Sequence, residues 1–334
     1  MDSKLIALCM AAILSFAVAV LTGKLLIPFL QKMKAGQSIK TDGPTWHMSK
    51  QGTPTMGGLI FIVSILATIV TCAAICRETG NFQDGFVVFG FALVFGLIGM
   101  VDDVAKLKKK ENTGLTAGWK FLLQLSVSIA FTVLLRYTGQ LSPNLYIPFL
   151  NVELILNWPV YMAFSALVMV GTVNAVNITD GVDGLAAGVT APVALFYAAA
   201  AYVIGQMSVG VFSAALFGGL VGFLMFNANP AKVFMGDTGS LFLGGAVCGL
   251  AFALNVPLIL LFVGIIYILE TLSDILQVIY FKVTHGRRIF RMAPLHHHLE
   301  MGGWNERKIC AVFTAITVIG CVAAWLGIAN RLSV

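Results

Sequence analysis

Ten long apolar runs separated by short polar breaks restrict this chain to a membrane-spanning helical fold. They cover residues 5–30, 57–76, 85–101, 119–136, 158–176, 185–204, 210–226, 240–256, 258–281 and 309–328. A helix that crosses a bilayer needs about 20 mostly apolar residues, and each run is near that length or longer. Only 11% of the 334 residues are charged, while 58% are hydrophobic; a soluble domain carries roughly 25% charged residues. The expected fold is an all-α polytopic integral membrane protein of about ten transmembrane helices. It forms one helical domain over 1–334, with no repeat, low-complexity tract or soluble module. The first run resembles a signal peptide, with Lys4 ahead of it and Ala17-Val18-Ala19 as a formal cleavage site. Its apolar stretch is too long for one, so it counts as the first span.

Lysine and arginine set the expected orientation. The breaks after spans one, three, five, seven and nine, with their flanks, hold 16 of the 21 basic residues. The opposite side holds Lys4, Arg77, Arg136 and Arg331, and Lys24 lies within the first span. The positive-inside rule then places the odd-numbered breaks in the cytoplasm and both termini outside. All six cysteines (Cys9, Cys72, Cys76, Cys248, Cys310 and Cys321) lie in or at the ends of apolar runs. They read as packing residues, since a buried thiol behaves as a small hydrophobe and no further metal ligands adjoin them.

Six of the nine aspartates, Asp42, Asp102, Asp103, Asp180, Asp183 and Asp237, fall in the odd-numbered breaks. Carboxylates are costly near lipid, so a set converging from separate helices marks a functional site by default. The first break ends in Lys50-Gln51-Gly52-Thr53-Pro54-Thr55-Met56-Gly57-Gly58. Two readings are open: a helix start with Thr53 as N-cap and Pro54 at the first helical position, or a phosphate-attracting helix N-terminus. Asp102-Asp103 closes span three. Adjacent carboxylates repel and need a cation, a proton or water, and acids at a helix C-terminus oppose its dipole. Such a pair suits Mg²⁺, which takes one or two carboxylates and completes its shell with water and phosphate oxygens.

In the third cytoplasmic break Asn174, Asn177, Asp180 and Asp183 recur every third residue, with Gly181 and Gly184 after the aspartates. These side chains can read the donors and acceptors of a polar ligand; calcium-loop spacing and its closing glutamate are absent. The fourth cytoplasmic break, Phe234-Met235-Gly236-Asp237-Thr238-Gly239-Ser240, shares Asp-Thr-Gly with aspartic proteases and Gly-Asp with intramembrane aspartyl proteases. Phe234 stands where the intramembrane type needs glycine, and no Tyr-Asp pair supplies a partner, so proteolysis is disfavoured. Phe234 is either a base-stacking ring or a lipid-facing aromatic. Glu270, Asp274 and Gln277 share one face of span nine, as an ion pathway or the lining of the same cleft would. The last break, Lys282 to Lys308, carries Arg287, Arg288, Arg291 and Pro294-Leu295-His296-His297-His298-Leu299-Glu300. Successive residues of a helix or strand point apart, so at most one or two of the three histidines act directly on one ligand.

Taken together, Lys50 to Gly58, Asp102-Asp103, Asn174 to Leu185, Phe234 to Ser240 and Pro294 to Glu300 resemble the phospho-N-acetylmuramoyl-pentapeptide transferase (translocase I) family. That family lies within the polyprenyl-phosphate N-acetylhexosamine-1-phosphate transferases, and the histidine motif favours the muramoyl-pentapeptide branch. The resemblance implies transfer from UDP-N-acetylmuramoyl-pentapeptide to undecaprenyl phosphate, giving lipid I and UMP, at the cytoplasmic face of the bacterial inner membrane. It implies Mg²⁺, with Mn²⁺ able to substitute, and a homodimer as a family expectation; it implies no nucleic-acid partner.

By the same resemblance Asp237 is the first choice for metal ligand, joined by Asp102 and Asp103. Those two also contact the lipid phosphate, one as general base, and His296 completes the catalytic set. Phe234, Asn177, Asp180, Gly181 and Asp183 fall around the uridine. Lys50, Thr55, Lys120, Gln277, His296 and His297 fall around phosphate and sugar, and Asn174 and His298 complete the substrate-binding set. Direct attack by the prenyl phosphate and a route through an aspartyl-phosphate both fit these residues. A GlcNAc-1-phosphate transferase, a carboxylate-driven secondary transporter and a lipid-binding scaffold are the competing readings.

Overall fold

The computed structural model describes residues 2–33, 50–75, 82–109 and 114–332; Asp42 and Cys76 lie outside them. The chain folds into α1 (Ser3–Lys32), α2 (Gly58–Ile75), α3 (Gln83–Lys109), α4 (Ala117–Tyr137), a hairpin of β1 (Asn144–Ile147) and β2 (Val152–Ile155), and α5 (Trp158–Thr179). There follow α6 (Leu185–Ile204), α7 (Met207–Asn227), α8 (Gly236–Ala253), α9 (Leu260–Val263), α10 (Ile265–Val283), α11 (Leu295–Met301) and α12 (Glu306–Leu332). Among the described residues, nine helices are long and apolar enough to cross a membrane. The bent pair α9–α10 makes a tenth. The protein is a multi-pass membrane protein.

Helix starts follow local chemistry: Asp2, Thr116 and Asn157 accept backbone N–H groups at the heads of α1, α4 and α5, replacing bonds the first turn lacks. Helix α8 is the axis of the bundle, with 89% of its spanning stretch buried. Its interface with α3 is the most extensive between any two helices. The approach is close: a Cβ at Gly99 would overlap the backbone of Asp237 and Thr238. Outward faces carry Leu21, Leu25, Val70, Leu167, Ile319 and Leu326 in the open, as a lipid solvent requires. Cys72 and Cys248 are buried in the apolar core, as packing residues should be.

Three features depart from the sequence expectation. Span nine is not a single helix. It runs as a 3₁₀ turn (Pro257–Ile259) and α9, breaks at Gly264, and resumes as α10 after a bend of 80°. Proline at its head and glycine at its bend are the residues that hold a helix least well. Glu270 is fully buried on α10, whereas Asp274 and Gln277 on the same face are half-buried. Second, residues 144–155 form an antiparallel hairpin, Asn144 opposite Ile155 and Ile147 opposite Val152. Third, Thr53 and Pro54 do not start α2, which begins at Gly58. Residues 54–58 run instead beside 234–235, with Phe234 N–H donating to Pro54 O (2.8 Å), Gly57 N–H to Phe234 O (2.8 Å) and Gly58 N–H to Met235 O (3.0 Å). The first and fourth cytoplasmic breaks are stitched together by backbone.

Candidate active site

Helix α3 continues past its acid pair to Lys109, so neither acid lies in its last turn, and Asp103 serves another helix. Asp103 Oδ1 accepts the N–H of Asp237 (3.1 Å), and Oδ2 accepts the N–H (2.9 Å) and hydroxyl (2.7 Å) of Thr238. A carboxylate at a helix N-terminus meets orphan donors and the positive end of the dipole, and α8 receives both from Asp103. Gly236, at φ +69, turns the chain into α8, a conformation natural only to glycine. A Cβ there would also press on Thr55 Oγ1 and Asp103 Oδ2 at 2.6 Å.

Asp237 is thereby presented inward. Its Oδ2 takes Lys106 Nζ at 2.9 Å and Lys120 Nζ at 2.8 Å, and its Oδ1 takes Asn177 Nδ2 at 2.9 Å. Lys106 also reaches Asp102 at 2.6 Å, and Asp102 Oδ1 accepts the N–H of Leu115 at 2.7 Å. Three acids and two lysines from α3, α4 and α8 form one half-buried knot. Asp180, at the end of α5, is half-buried; its N–H donates to Asn177 O at 3.3 Å, while its carboxyl has no hydrogen bond or ion pair among the described residues. Burial, and then repulsion from Asp237, Asp103 and Asp183, pushes its carboxyl up to about 8.

A second cluster adjoins through the same loop. Lys50 Nζ lies 2.7 Å from Asp183 and 2.6 Å from Glu306, while the Asp183 N–H donates to Glu306 at 2.9 Å. Asp183 Oδ2 also accepts from Asn229 Nδ2 (3.2 Å) and Ala231 N–H (2.9 Å).

The three histidines have three different partners. His296 Nδ1 meets Glu270 at 2.9 Å, His297 Nδ1 meets Glu300 at 2.7 Å, and His298 Nδ1 accepts the N–H of Arg291 at 3.1 Å. Gln277 staples the preceding loop: its oxygen accepts Ile289 and Phe290 N–H, and its Nε2 donates to Phe290 O. Arg287 and Arg288 are exposed.

Residues matching Glycosyl transferase family 4 cover 85–255, and residues 50–62 match the phospho-N-acetylmuramoyl-pentapeptide-transferase signature 1. The phospho-N-acetylmuramoyl-pentapeptide-transferase of Clostridium perfringens (strain 13 / Type A) is 48% identical over 97% of this chain and 98% of its own. That of Clostridium botulinum (strain Eklund 17B / Type B) is 45% identical over 95% of each. The Staphylococcus carnosus (strain TM300) protein of the same name is 44% identical over 95% of this chain and 98% of its own. The chain belongs to the phospho-N-acetylmuramoyl-pentapeptide transferase family.

In this transferase the structure brings together Asp102, Asp103, Asp237, Lys120 and Asn177, all anticipated from sequence. Asn174 lines a cavity with Lys120 and Gln124, its amide donating to Gln124 Oε1 (2.7 Å) and Val170 O (2.8 Å) between α4 and α5. His298 and Gln277 hold loop backbone. Thr238, Glu306 and the Glu270–His296 pair were not anticipated, and Lys106 was expected only as one of the lysines that a solvated Asp102-Asp103 cap would face. Lys106 was legible four residues after Asp102, on one helix face. Glu306 reaches Asp183 across 123 residues, and no local pattern announces such a contact.

No three or more His, Cys, Asp or Glu side chains among the described residues are spaced to hold a metal ion by themselves. The donor set still suits Mg²⁺, which keeps water and substrate phosphate in its shell and takes few carboxylates. Asp237, Asp103 and Asp183 all oppose ionisation of Asp180, a gathering of acids whose repulsion a bound cation would relieve.

Proposed function

We propose that this chain transfers phospho-N-acetylmuramoyl-pentapeptide from its UDP derivative to undecaprenyl phosphate, giving lipid I and UMP, at the cytoplasmic face of the bacterial inner membrane. The observation that carries the reading is the knot around Asp237, where three acids and two lysines meet at the polar ends of spanning helices. There a prenyl phosphate can rise from the bilayer and a soluble nucleotide sugar can descend. The relatives are phospho-N-acetylmuramoyl-pentapeptide-transferases by name, which supports the group transferred.

Asp237, Asp102 and Asp103 would hold Mg²⁺, which when bound neutralises phosphate charge as a Lewis acid and template. Lys106 and Lys120 supply positive charge to the phosphates. Asp103 is held by backbone and hydroxyl at the head of α8, whereas one oxygen of Asp102 is held only by the flexible Lys106 ammonium, which an arriving phosphate can draw off, so Asp102 is the base offered to the prenyl phosphate. Asn177, Asp180, Gly181, Asp183 and Phe234 receive the uridine. The long loop before α12, with Arg287, Arg288 and the histidines, gives room for the lactyl-peptide arm.

Purified protein in detergent, given undecaprenyl phosphate and Mg²⁺, should release UMP from the muramoyl-pentapeptide nucleotide at least about tenfold faster than from UDP-GlcNAc. Equal or better use of UDP-GlcNAc would overturn the substrate assignment. Release of UMP from neither would overturn the reaction, and full turnover in excess chelator would remove the metal.

A further inference from the structure

Glu270 lies on α10 with 0% of its surface exposed, and His296 on α11 with 1%. An acid wholly buried within a spanning helix is expensive, and such residues persist where a partner compensates them. The Glu270 carboxylate holds His296 twice: the backbone N–H donates to Oε1 at 3.2 Å, and ring Nδ1 lies 2.9 Å from Oε2. The other ring nitrogen, Nε2, is buried with no hydrogen-bond partner among the described residues. It faces Gly181, where any Cβ would overlap the imidazole. Gly181 follows Asp180, the partnerless acid of the main knot.

We propose that Glu270 is a positioning residue for His296. By accepting Nδ1–H it fixes the ring's tautomer and orientation, as a carboxylate partner does for many working histidines, and reserves Nε2 for the substrate. A purely architectural staple would be complete once the α11 backbone N–H was capped. It would not leave a buried ring nitrogen orphaned, an unfavourable state in a finished core, against the one residue type that lets the ring approach. The inference rests on the reading that the Asp180–Gly181 turn receives the nucleotide sugar.

The test is a double-mutant cycle read as UMP release by the full-length protein. In the wild-type background Glu270→Gln should lower kcat/KM at least tenfold; in a His296→Gln background the same change should cost less than twofold. Equal losses in both backgrounds, or no loss in the first, would overturn the proposal. Histidine ¹⁵N spectra of the unmutated protein, assigned against His296→Gln, read the same claim should Glu270→Gln fail to fold. A proton on Nδ1 of His296 supports it, and a bare Nδ1 defeats it. If the wild-type protein released no UMP, the reaction would be misassigned while the spectra still decided Glu270.

Discussion

The carboxylates of this site have different tasks because they have different neighbours. Asp103 is saturated by three donors, Asp102 is shared between Lys106 and a backbone N–H, and Asp237 collects two lysines and an amide. Asp237→Asn keeps the shape and removes the charge that both lysines attend. UMP release should fall roughly 10²-fold or more, the scale lost with one preorganised electrostatic group; a near-wild-type rate would move the metal to the α3 pair. Asp180 gives a stability prediction. Its carboxyl titrates at about 8 in the fold against an ordinary 3.8, so the folded state holds the proton more tightly than the unfolded chain. Between those values the unfolded chain has already lost that proton, and stability falls as pH rises, levelling above about 8. The melting temperature of Asp180→Asn relative to wild type should therefore climb from pH 5 to pH 8. A constant difference would refute the assignment.

At the scale of elements, the site depends on how near α3 comes to α8. A methyl group at Gly99 would overlap the turn that carries Asp237, whereas Gly90 on the same helix meets nothing within 4 Å. Gly99→Ala should lower thermal stability, overpacking typically costing about 1–3 kcal/mol, and should depress turnover with it. Gly90→Ala should be neutral or stabilising by up to about 1 kcal/mol. Equal melting temperatures for the two variants would show that the crossing yields more readily than its geometry suggests. The bend at Gly264 works at the same scale. It sends α10 off at 80° to α9, burying Glu270 beneath α11 while Leu272, Ile275, Leu276 and Ile279 stay exposed.

For the whole molecule, the acids cluster at one end of the helices. The sequence-based orientation puts that end in the cytoplasm and the 144–155 hairpin outside. The check is labelling by a membrane-impermeant maleimide after the native cysteines are replaced by alanine. Leu150→Cys, on the exposed hairpin tip, should react in intact cells, and Arg287→Cys only after permeabilisation. The opposite pattern would invert the topology and separate the site from cytoplasmic nucleotide sugars.

The sequence by itself determined the solvent, the number of spans and the inventory of polar groups. Twenty apolar residues in a row have one low-energy arrangement in a bilayer, and each acid that interrupts them must be compensated. Asp102, Asp103, Asn177, Asp183 and Asp237 stood out because polar side chains beside lipid are expensive, whereas Lys50 and His296 were assigned to the site by the resemblance of their motifs to the family. What they do to one another was decided by tertiary structure. That Asp103 caps α8, that Lys50 is held between Asp183 and Glu306, and that Asn174 turns toward Gln124 depend on which helices are neighbours. Hydrogen bonds act over about 3 Å and take no account of chain separation, so contacts spanning 50 to 256 residues exist only once the helices have packed.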